Sequence, residues 1–350
     1  MKITKLQNNN LKIHKIKKIA IMTSGGDAPG MNMVVISLLR FLYKFHYQCA
    51  IVYEGIKGLI TNQIFDFNFN NFIELTDHIY DSGTFIKSSR VTDFYKDEKQ
   101  DIAIKNLKKN QVDLLIVIGG DGSYNAANAL LKKGMNVICI PATIDNDVAS
   151  TQYTIGFFSA LNFIYECIKA IRNTAKSFGS FCLIEVMGRE CSDLCLNAAI
   201  SSLADAVITK DNAWSIDDFV NNINLMKKNN KHFGLFIVTE KYYGLKNQLT
   251  YDEIITEVEN KTNIHMKFDS IGYAQRGANP SSYEMLNAYK FAKECVNYIN
   301  NNHFNIALGW KNNMIIPYDL TKAIKMKKAN NLHQINEFNE FLFTLYKDNL

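Results

Sequence analysis

The 350-residue sequence has little proline and no long apolar segment. Only four prolines occur, and no stretch rich in Pro, Gly and Ser separates the two halves, so we expect the parts of the chain to pack tightly. No apolar run reaches the roughly 20 residues that cross a membrane, and no secretory signal is visible. The net charge is a modest +5, without a basic block of the kind that binds nucleic acid. We therefore expect a cytoplasmic protein with neither a membrane nor a nucleic acid as partner.

The seven cysteines follow no disulfide-framework spacing, and their number is odd. We expect reduced thiols, as in a cytosolic protein. Cys191 and Cys195 are four positions apart and would share one helix face, which leaves a metal-binding pair as an alternative. No other cysteine or histidine is close in sequence, so packing in the core is the favoured role for both thiols.

Short apolar segments alternate with longer segments of helical periodicity along the chain. Continuous apolar strands separated by helices are typical of parallel sheets that are covered on both faces. The pattern predicts an α/β fold with two doubly wound, Rossmann-like lobes, each a parallel sheet between two layers of helices. The predicted strands are 18–23, 48–53, 112–120, 135–142, 180–187 and 233–240, and the predicted helices are 31–45, 96–110, 123–134, 157–172, 193–203 and 251–261.

Three predicted strands end in motifs that are rich in glycine or carboxylates. Ligands bind to such sheets at the carboxyl ends of the strands. Glycines let the backbone approach a ligand, and helix N-termini favour anions. Neither glycine motif is a Walker A loop or a dinucleotide-binding motif, but together with the carboxylates they predict phosphate chemistry with a divalent cation such as Mg²⁺. The motifs are "TSGGDAPG" at 23–30, "GGDGS" at 119–123 and "ATIDND" at 142–147.

These motifs and several others resemble those of ATP-type 6-phosphofructokinases. The resemblance covers about Ile19 to Asn287, in the order and spacing of that family. It implies an ATP-binding lobe of residues 16–156 plus 275–332 and a sugar-phosphate-binding lobe of residues 157–274 plus 333–350. Residues 1–15 fall outside the lobes and are predicted to be a solvated basic arm, with a transit peptide as the alternative. The matching stretches are "TSGGDAPGMN", "SSR" at 88–90, "IGGDGSYNAA", "PATIDND", "YTIGFFSALN", "EVMGRECSDL", "TE" at 239–240 and "GYAQRGANP".

The resemblance implies an active site, residue by residue. Asp145 is implied to be the general base that takes the proton from the sugar's 1-hydroxyl, whose oxygen then attacks the γ-phosphoryl group of ATP. Thr143 would bind the same region, Asp147 would orient it, Arg189 would neutralise charge, and Asp121 would hold Mg²⁺. The implied ATP contacts are Gly25, Arg90, Val91, Gly120, Asp121, Gly122 and Ser123, and the implied sugar contacts are Thr143, Asp145, Asp147, Met187, Gly188, Arg189, Glu240, Lys267, Tyr273 and Arg276.

Two small residues at the predicted site favour ATP over pyrophosphate as the donor. In pyrophosphate-using relatives an acidic residue stands at the position of Gly122 and a lysine at that of Ala142. Those side chains would occupy the space that the α-phosphate and the nucleoside need. Gly122 and Ala142 leave that space open, and Ala142 itself departs by one methyl group from the glycine that is usual in the ATP-type family.

The positions that bind the sugar's 6-phosphate depart from the family pattern. In the family they are three Arg and a His, and two of the Arg come from a neighbouring subunit, which implies a homo-oligomer, a tetramer by resemblance. Arg276 matches one Arg, whereas Lys267 and Ser180 stand at the cross-subunit positions and Tyr273 at the His position. Lysine keeps the charge but loses the bidentate geometry of arginine, so we expect weak saturation by fructose 6-phosphate, with Lys176 as a nearby cation.

The allosteric nucleotide site of the family is partly altered. Arg40, Arg172 and Asp205 match effector positions, the last as Asp in place of Glu, while Ile36 replaces another Arg. An anionic effector is expected to bind less well without that guanidinium.

The sequence is compatible with two functions. The first is an active sugar-phosphate kinase of glycolysis, most simply 6-phosphofructokinase, although an acceptor other than fructose 6-phosphate is an alternative. The second is a catalytically weak paralogue that serves as the regulatory subunit of a mixed oligomer. The first is favoured, because a chain released from catalysis would lose Asp121, Asp145 and Arg189 as readily as the phosphate anchors.

Overall fold

The computed structural model describes residues 16–243 and 249–347, and the predicted basic arm lies outside these ranges. None of the described helices is long and apolar enough to cross a membrane. The strands are β1 (Lys18–Ser24), β2 (Gln48–Val52), β3 (Ile64–Asp66), β4 (Leu114–Gly119), β5 (Asn136–Pro141), β6 (Phe181–Val186), β7 (Ala206–Ile208), β8 (Gly234–Thr239), β9 (Met266–Ser270), β10 (Ile306–Lys311) and β11 (Met314–Asp319). The α-helices are α1 (Met31–Lys44), α2 (Gly55–Ile60), α3 (Phe72–Thr76), α4 (Asp97–Lys109), α5 (Asp121–Lys132), α6 (Phe157–Phe178), α7 (Asp193–Ser202), α8 (Ile216–Lys228), α9 (Tyr251–Thr262), α10 (Ser282–Asn300), α11 (Leu320–Ala323) and α12 (Leu332–Lys347).

The strands form two sheets. The first sheet has the order β11-β10-β5-β4-β1-β2-β3, and the second sheet has the order β7-β8-β6-β9. Neighbouring strands are parallel except at the two edges of the first sheet, where β3 and β11 are antiparallel to their neighbours. The predicted α/β class with two parallel-sheet lobes is confirmed. The antiparallel edge strands were not predicted.

Strand β1 shows why the central strands have continuous apolar sequences. All seven of its residues are buried. Ile19 and Ile21 pack in one core cluster, whereas the alternating residues Ala20 and Met22 pack in another. Because successive side chains of a strand point to opposite faces, both faces of the first sheet are covered at β1. Neither face is exposed to water there, so polar residues are not favoured on either side.

The chain leaves the first sheet after β5 and returns to it through α10, so that β10 and β11 join strands from the first half of the sequence. The predicted lobe boundaries stay a prediction. Helix α12 packs beside the edge strand β7, where the buried Asn339 side chain exchanges two hydrogen bonds with the Val207 backbone, at 2.8 and 2.9 Å. The amide thus completes the hydrogen bonding of a strand edge.

Helix α6 ends later than the sequence pattern predicted. It continues past residue 172 to Phe178 and ends at Gly179, which adopts a left-handed conformation with φ 64°. Glycine is the usual residue at such a helix end. The prediction stopped too early, because no glycine or proline precedes Gly179 to end the helix.

The sheet order brings the three predicted motifs together. Strands β5, β4 and β1 are adjacent, with Ser24 paired to Gly119 and Gly119 paired to Pro141. Because these strands are parallel, the loops after them emerge at one edge of the first sheet. In the second sheet the ends of β6 and β8 are likewise level, since Val186 pairs with Thr239.

Candidate active site

The loops after β1, β4 and β5 surround a cavity of ≈ 840 Å³. This volume lies in the range of small-molecule sites. All of the predicted ATP-binding and catalytic residues line it, together with part of the predicted sugar site. They are Gly25, Arg90, Val91, Gly120, Asp121, Gly122, Ser123, Thr143, Asp145, Asp147, Arg189 and Arg276.

Asp145 lies at the centre of the charged part of this cavity. Its side chain is buried, and one oxygen, Oδ2, lies 3.5 Å from Arg189 Nε and 3.7 Å from Arg276 Nη2. The other oxygen, Oδ1, has no hydrogen-bond partner within 16–243 and 249–347. The Asp145 backbone N–H donates to Thr143 Oγ1 at 3.2 Å, which closes a short turn after β5. The Asp145 carboxylate therefore has hydrogen-bonding capacity that the described residues do not use.

The glycine-rich loop after β4 leads directly into α5. Gly119 has no room for a side chain, because a Cβ would approach the Ser24 carbonyl oxygen to 2.4 Å. Gly120 to Ser123 then form the start of the helix and line the cavity. The N-terminus of a helix carries partial positive charge and unpaired N–H groups, so this part of the cavity is suited to phosphate.

Asp121 is the carboxylate nearest this helix start. Burial raises its pKa, while a hydrogen bond from Asn125 Nδ2, at 3.1 Å, lowers it. Mg²⁺ favours one or two carboxylates together with phosphate oxygens. A bound Mg²⁺ would favour the ionised form of Asp121, so this residue fits the role that the resemblance implies.

Asp147 has a second perturbed carboxyl group. Its pKa is raised to about 6, first by burial and second by the negative charge of Asp145, while the charge of Arg189 acts in the opposite direction. The native chain therefore holds this proton more tightly than the unfolded chain, in which an Asp has a pKa near ~3.9. In the absence of ligand, this group makes the free energy of unfolding fall as the pH rises from about 4 to about 6.

Replacing Asp147 by Asn tests this assignment of the pKa. We expect Asp147→Asn to unfold at a higher urea concentration than the unmodified chain at pH 7, and the difference to vanish near pH 4. The measurement is urea denaturation at several pH values between 4 and 7. Asp211→Asn, at an exposed position, is the control for the chemical change itself. A constant offset for Asp147→Asn across this range would contradict the assignment.

Comparison with known proteins agrees with these features. The family profile described as Phosphofructokinase matches residues 18–299. A protein of Mycoplasma genitalium named "Probable ATP-dependent 6-phosphofructokinase" is 37% identical over 322 residues, which cover 92% of this chain and 98% of that protein. The chain belongs to the phosphofructokinase family. The "ATP-dependent 6-phosphofructokinase" of Listeria monocytogenes is 35% identical over 315 residues, which cover 89% of this chain and 95% of that protein.

A solved structure supports the same fold. The phosphofructokinase from Saccharomyces cerevisiae superposes on this phosphofructokinase with a TM-score of 0.76 and 27% sequence identity. The match covers 88% of this chain and 45% of that one, so this chain spans less than half the length of the yeast chain.

Three further predicted sugar-binding residues, Met187, Gly188 and Glu240, lie directly after β6 and β8 in this phosphofructokinase. Gly188 and Arg189 both have positive φ, 139° and 53°, and the Arg189 backbone N–H donates to Glu240 Oε1 at 3.2 Å. The Met187 backbone N–H donates to Gln275 Oε1 at 3.0 Å. Gln275 is fully buried and was missed by the sequence analysis, where only its place in "GYAQRGANP" marked it.

The altered phosphate-binding positions are not brought into the cavity of the single chain. Tyr273 is 84% exposed, and Lys267 is exposed with its Nζ 5.5 Å from the centroid of the Phe178 ring. Ser180 is buried, with 2% exposure. Arg276 is different, because it lies beside Asp145 at the reaction centre and its Nη1 donates to the Asp27 carbonyl oxygen at 3.3 Å.

One of the three predicted effector residues, Arg172, lies close to an aromatic ring that a lysine also approaches. The Arg172 guanidinium lies 5.3 Å from the centroid of the Phe233 ring, and Lys231 Nζ lies 5.7 Å from the same ring. Asp205 is buried and forms an ion pair with Lys231. Arg40 is exposed. An effector role for these residues stays a prediction.

The cysteine pair does not share a helix face. Helix α7 begins at Asp193, so Cys195 is helical and Cys191 lies in the preceding loop, where the Cys191 thiol donates to the Asn146 carbonyl oxygen. The prediction was wrong because Arg189 has a left-handed backbone and holds the segment before α7 in a turn. Both thiols are buried, and the described residues contain no group of three or more His, Cys, Asp or Glu side chains that could hold a metal.

Proposed function

We propose that this chain transfers the γ-phosphoryl group of ATP to the 1-hydroxyl of fructose 6-phosphate, a reaction of glycolysis. The observation that carries the proposal is the buried Asp145 carboxylate, which has one oxygen near two arginines and the other without a partner among the described residues. It lies in the same cavity as the glycine-rich start of α5. An acceptor hydroxyl and a triphosphate can therefore meet in one place.

In this mechanism the Asp145 carboxylate takes the proton of the 1-hydroxyl. The hydroxyl oxygen forms a bond to the γ-phosphorus, the bond from that phosphorus to the β–γ bridging oxygen breaks, and ADP leaves with the electron pair. Arg189 and Arg276 reduce the electrostatic cost of the charge that spreads over the transferring phosphoryl oxygens. The N-terminus of α5 orients the phosphates of the donor. Bound Mg²⁺, held by Asp121, would neutralise phosphate charge.

The shape of the cavity supports ATP as the donor. A Cβ at Gly122 would meet no atom within 4 Å, so this residue leaves open space at the start of α5. Ala142 is also small and lines the same cavity. A side chain at either position would extend into the region that the α-phosphate and nucleoside need.

The function is tested most directly with the purified chain. We expect ADP to form only when ATP, Mg²⁺ and fructose 6-phosphate are all present, as followed by a coupled assay. A panel of other sugar phosphates in the same assay tests the alternative acceptors. The regulatory-subunit alternative is less favoured, because Asp121, Asp145 and Arg189 line one cavity. Activity that needs a different partner chain would contradict the proposal.

A homo-oligomer, a tetramer by family resemblance, is part of the proposal. Lys267 and Tyr273 are exposed on the single chain and lie outside the cavity that contains Asp145. In the proposed assembly Lys267 would reach the 6-phosphate bound by a neighbouring copy. The buried Ser180 has no cation to offer there, so Lys267 would carry most of that cross-subunit charge.

Substitution of Lys267 tests the proposed phosphate contact. We expect Lys267→Arg to lower KM for fructose 6-phosphate and Lys267→Met to raise it, each by on the order of tenfold, because a hydrogen bond to a charged group contributes about 1.5–3 kcal/mol. The turnover number should stay within about twofold, since this contact is remote from the transferring group. Lys176→Met is the control for the nearby cation. If neither Lys267 variant changed KM, the contact would be excluded.

A further inference from the structure

Asn146 lies between the two carboxylates of the active-site turn. It is fully buried and adopts a left-handed backbone conformation with φ 51°. Such a conformation is uncommon for residues other than glycine, although Asn accepts it better than most. Neither Asn146 nor its partner Asp193 lines the cavity that contains Asp145. The mechanism above therefore gives Asn146 no chemical role.

The Asn146 side chain is held at both of its ends. Its Nδ2 donates to Asp193 Oδ2 at 2.5 Å and to the Gln152 carbonyl oxygen at 3.0 Å. Its Oδ1 accepts from the Thr154 backbone N–H at 2.9 Å and lies 3.3 Å from Thr154 Oγ1. A buried hydrogen bond is costly to leave unmade. These contacts therefore fix the conformation of the turn and, with it, the positions of Asp145 and Asp147, the two neighbours of Asn146 in sequence.

Asp193 connects this turn to two other parts of the chain. It is the first residue of α7 and is 9% exposed. Its Oδ1 accepts from Asn331 Nδ2, and Lys328 Nζ lies 3.6 Å from its Oδ2. One carboxylate thus joins the loop after β5, the start of α7 and the segment before α12. Arg189 belongs to the loop that leads into α7, so the same carboxylate is tied to both sides of the Asp145–Arg189 pair.

We propose that Asp193 is a positioning residue for phosphoryl transfer, which acts through Asn146 to hold Asp145 at its distance from Arg189. The inference rests on the proposed function for its catalytic consequence. A displacement of about 1 Å at a reacting group lowers a rate by on the order of 10²-fold. Loss of the Asp193 carboxylate leaves the Asn146 amide with one acceptor fewer in a buried site and allows the turn to shift.

The kinetic test compares Asp193→Ala with Asn197→Ala. Asn197 is on the same helix and donates to the Asp193 backbone carbonyl at 2.7 Å, so its replacement disturbs α7 but keeps the carboxylate. We expect Asp193→Ala to lower kcat by about 10-fold to 10²-fold with KM for ATP unchanged, and Asn197→Ala to leave kcat within about twofold. Equal losses in the two variants would show that general helix damage is the cause and would overturn the proposal.

A double-mutant cycle separates the proposed link from two independent effects. If Asp193 acts through Asn146, the pair Asn146→Ala with Asp193→Ala should lose no more kcat than the worse single variant. Additive losses would overturn the proposal. Asn146→Gly keeps access to the left-handed backbone but removes the amide, so full activity in that variant would also overturn it. Asp193→Asn keeps the volume and one acceptor, and serves in place of Asp193→Ala if that variant does not fold.

A measurement without substrate distinguishes this proposal from the proposed function. Hydrogen exchange of peptides that cover residues 143–156 should become faster in Asp193→Ala, or in Asp193→Asn in its place, and stay unchanged in Asn197→Ala. The activity of the unmodified chain with fructose 6-phosphate reports on the function, whereas this exchange reports on the link. Unchanged exchange in the Asp193 variant would contradict the positioning role, whether or not the chain is an active kinase.

Discussion

Asp145→Ser is expected to lower kcat by about 10² to 10⁴, the usual contribution of general acid–base catalysis. The reason is geometric. The Asp145 carboxylate lines the cavity beside Arg189 and Arg276, where an acceptor hydroxyl is proposed to bind. The measurement is steady-state turnover with ATP, Mg²⁺ and fructose 6-phosphate at saturation.

Binding of ATP provides the internal control for this variant. The start of α5 carries the proposed phosphate contacts and does not include Asp145, so the dissociation constant of ATP measured by calorimetry should change little. A variant that loses turnover and keeps ATP affinity has lost a group that acts in the chemical step. Turnover equal to that of the unmodified chain would remove Asp145 from the mechanism.

Much of the site could be predicted from the sequence because its parts are local to strand ends. The apolar run before Asp145 predicts a buried strand. The end of a strand does not need as many polar residues as follow here, so these residues indicate a functional site. The glycines before Asp121 likewise follow an apolar run that predicts a buried strand. Parallel pairing of β5, β4 and β1 then brings these loops to one edge of the first sheet. The sequence therefore predicted which loops carry the site, whereas the strand order that brings those loops together comes from the structure.

The rest depends on packing between segments that are distant in sequence. Arg276 belongs to a short 3₁₀ helix, Gly272–Gly277, between β9 of the second sheet and α10, and lies beside Asp145, which follows β5 of the first sheet. The link between Asn146 and Asp193 spans 47 positions and crosses between the two sheets. No periodicity or motif in the sequence encodes such contacts. The family motifs identified Arg276 as a site residue but did not predict that it lies beside Asp145.

Gly122→Asp is expected to raise KM for ATP by about 10²-fold or more. The new carboxylate would stand in the first turn of α5, beside Asp121, where the phosphates of ATP are proposed to bind. Placing like charges together in this way costs several kcal/mol, and about 1.4 kcal/mol corresponds to a tenfold change. The fold should tolerate the change, because a Cβ at this position meets no atom within 4 Å. An acidic residue in the first turn of a helix is in fact stabilising.

Gly122→Asp is thus expected to lower ATP affinity without lowering the stability of the fold, which distinguishes a local effect on ATP binding from a general loss of stability. Thermal unfolding without nucleotide should occur at the same or a slightly higher temperature in Gly122→Asp, while ATP affinity falls. Gly122→Ala is the matched control, since it adds the Cβ without the charge and should change KM for ATP by only a few-fold. If Gly122→Ala weakened ATP binding as much as Gly122→Asp, lack of space and not charge would be the cause. If neither variant changed ATP binding, the phosphates would bind away from the start of α5, and the proposed orientation of the donor would be wrong.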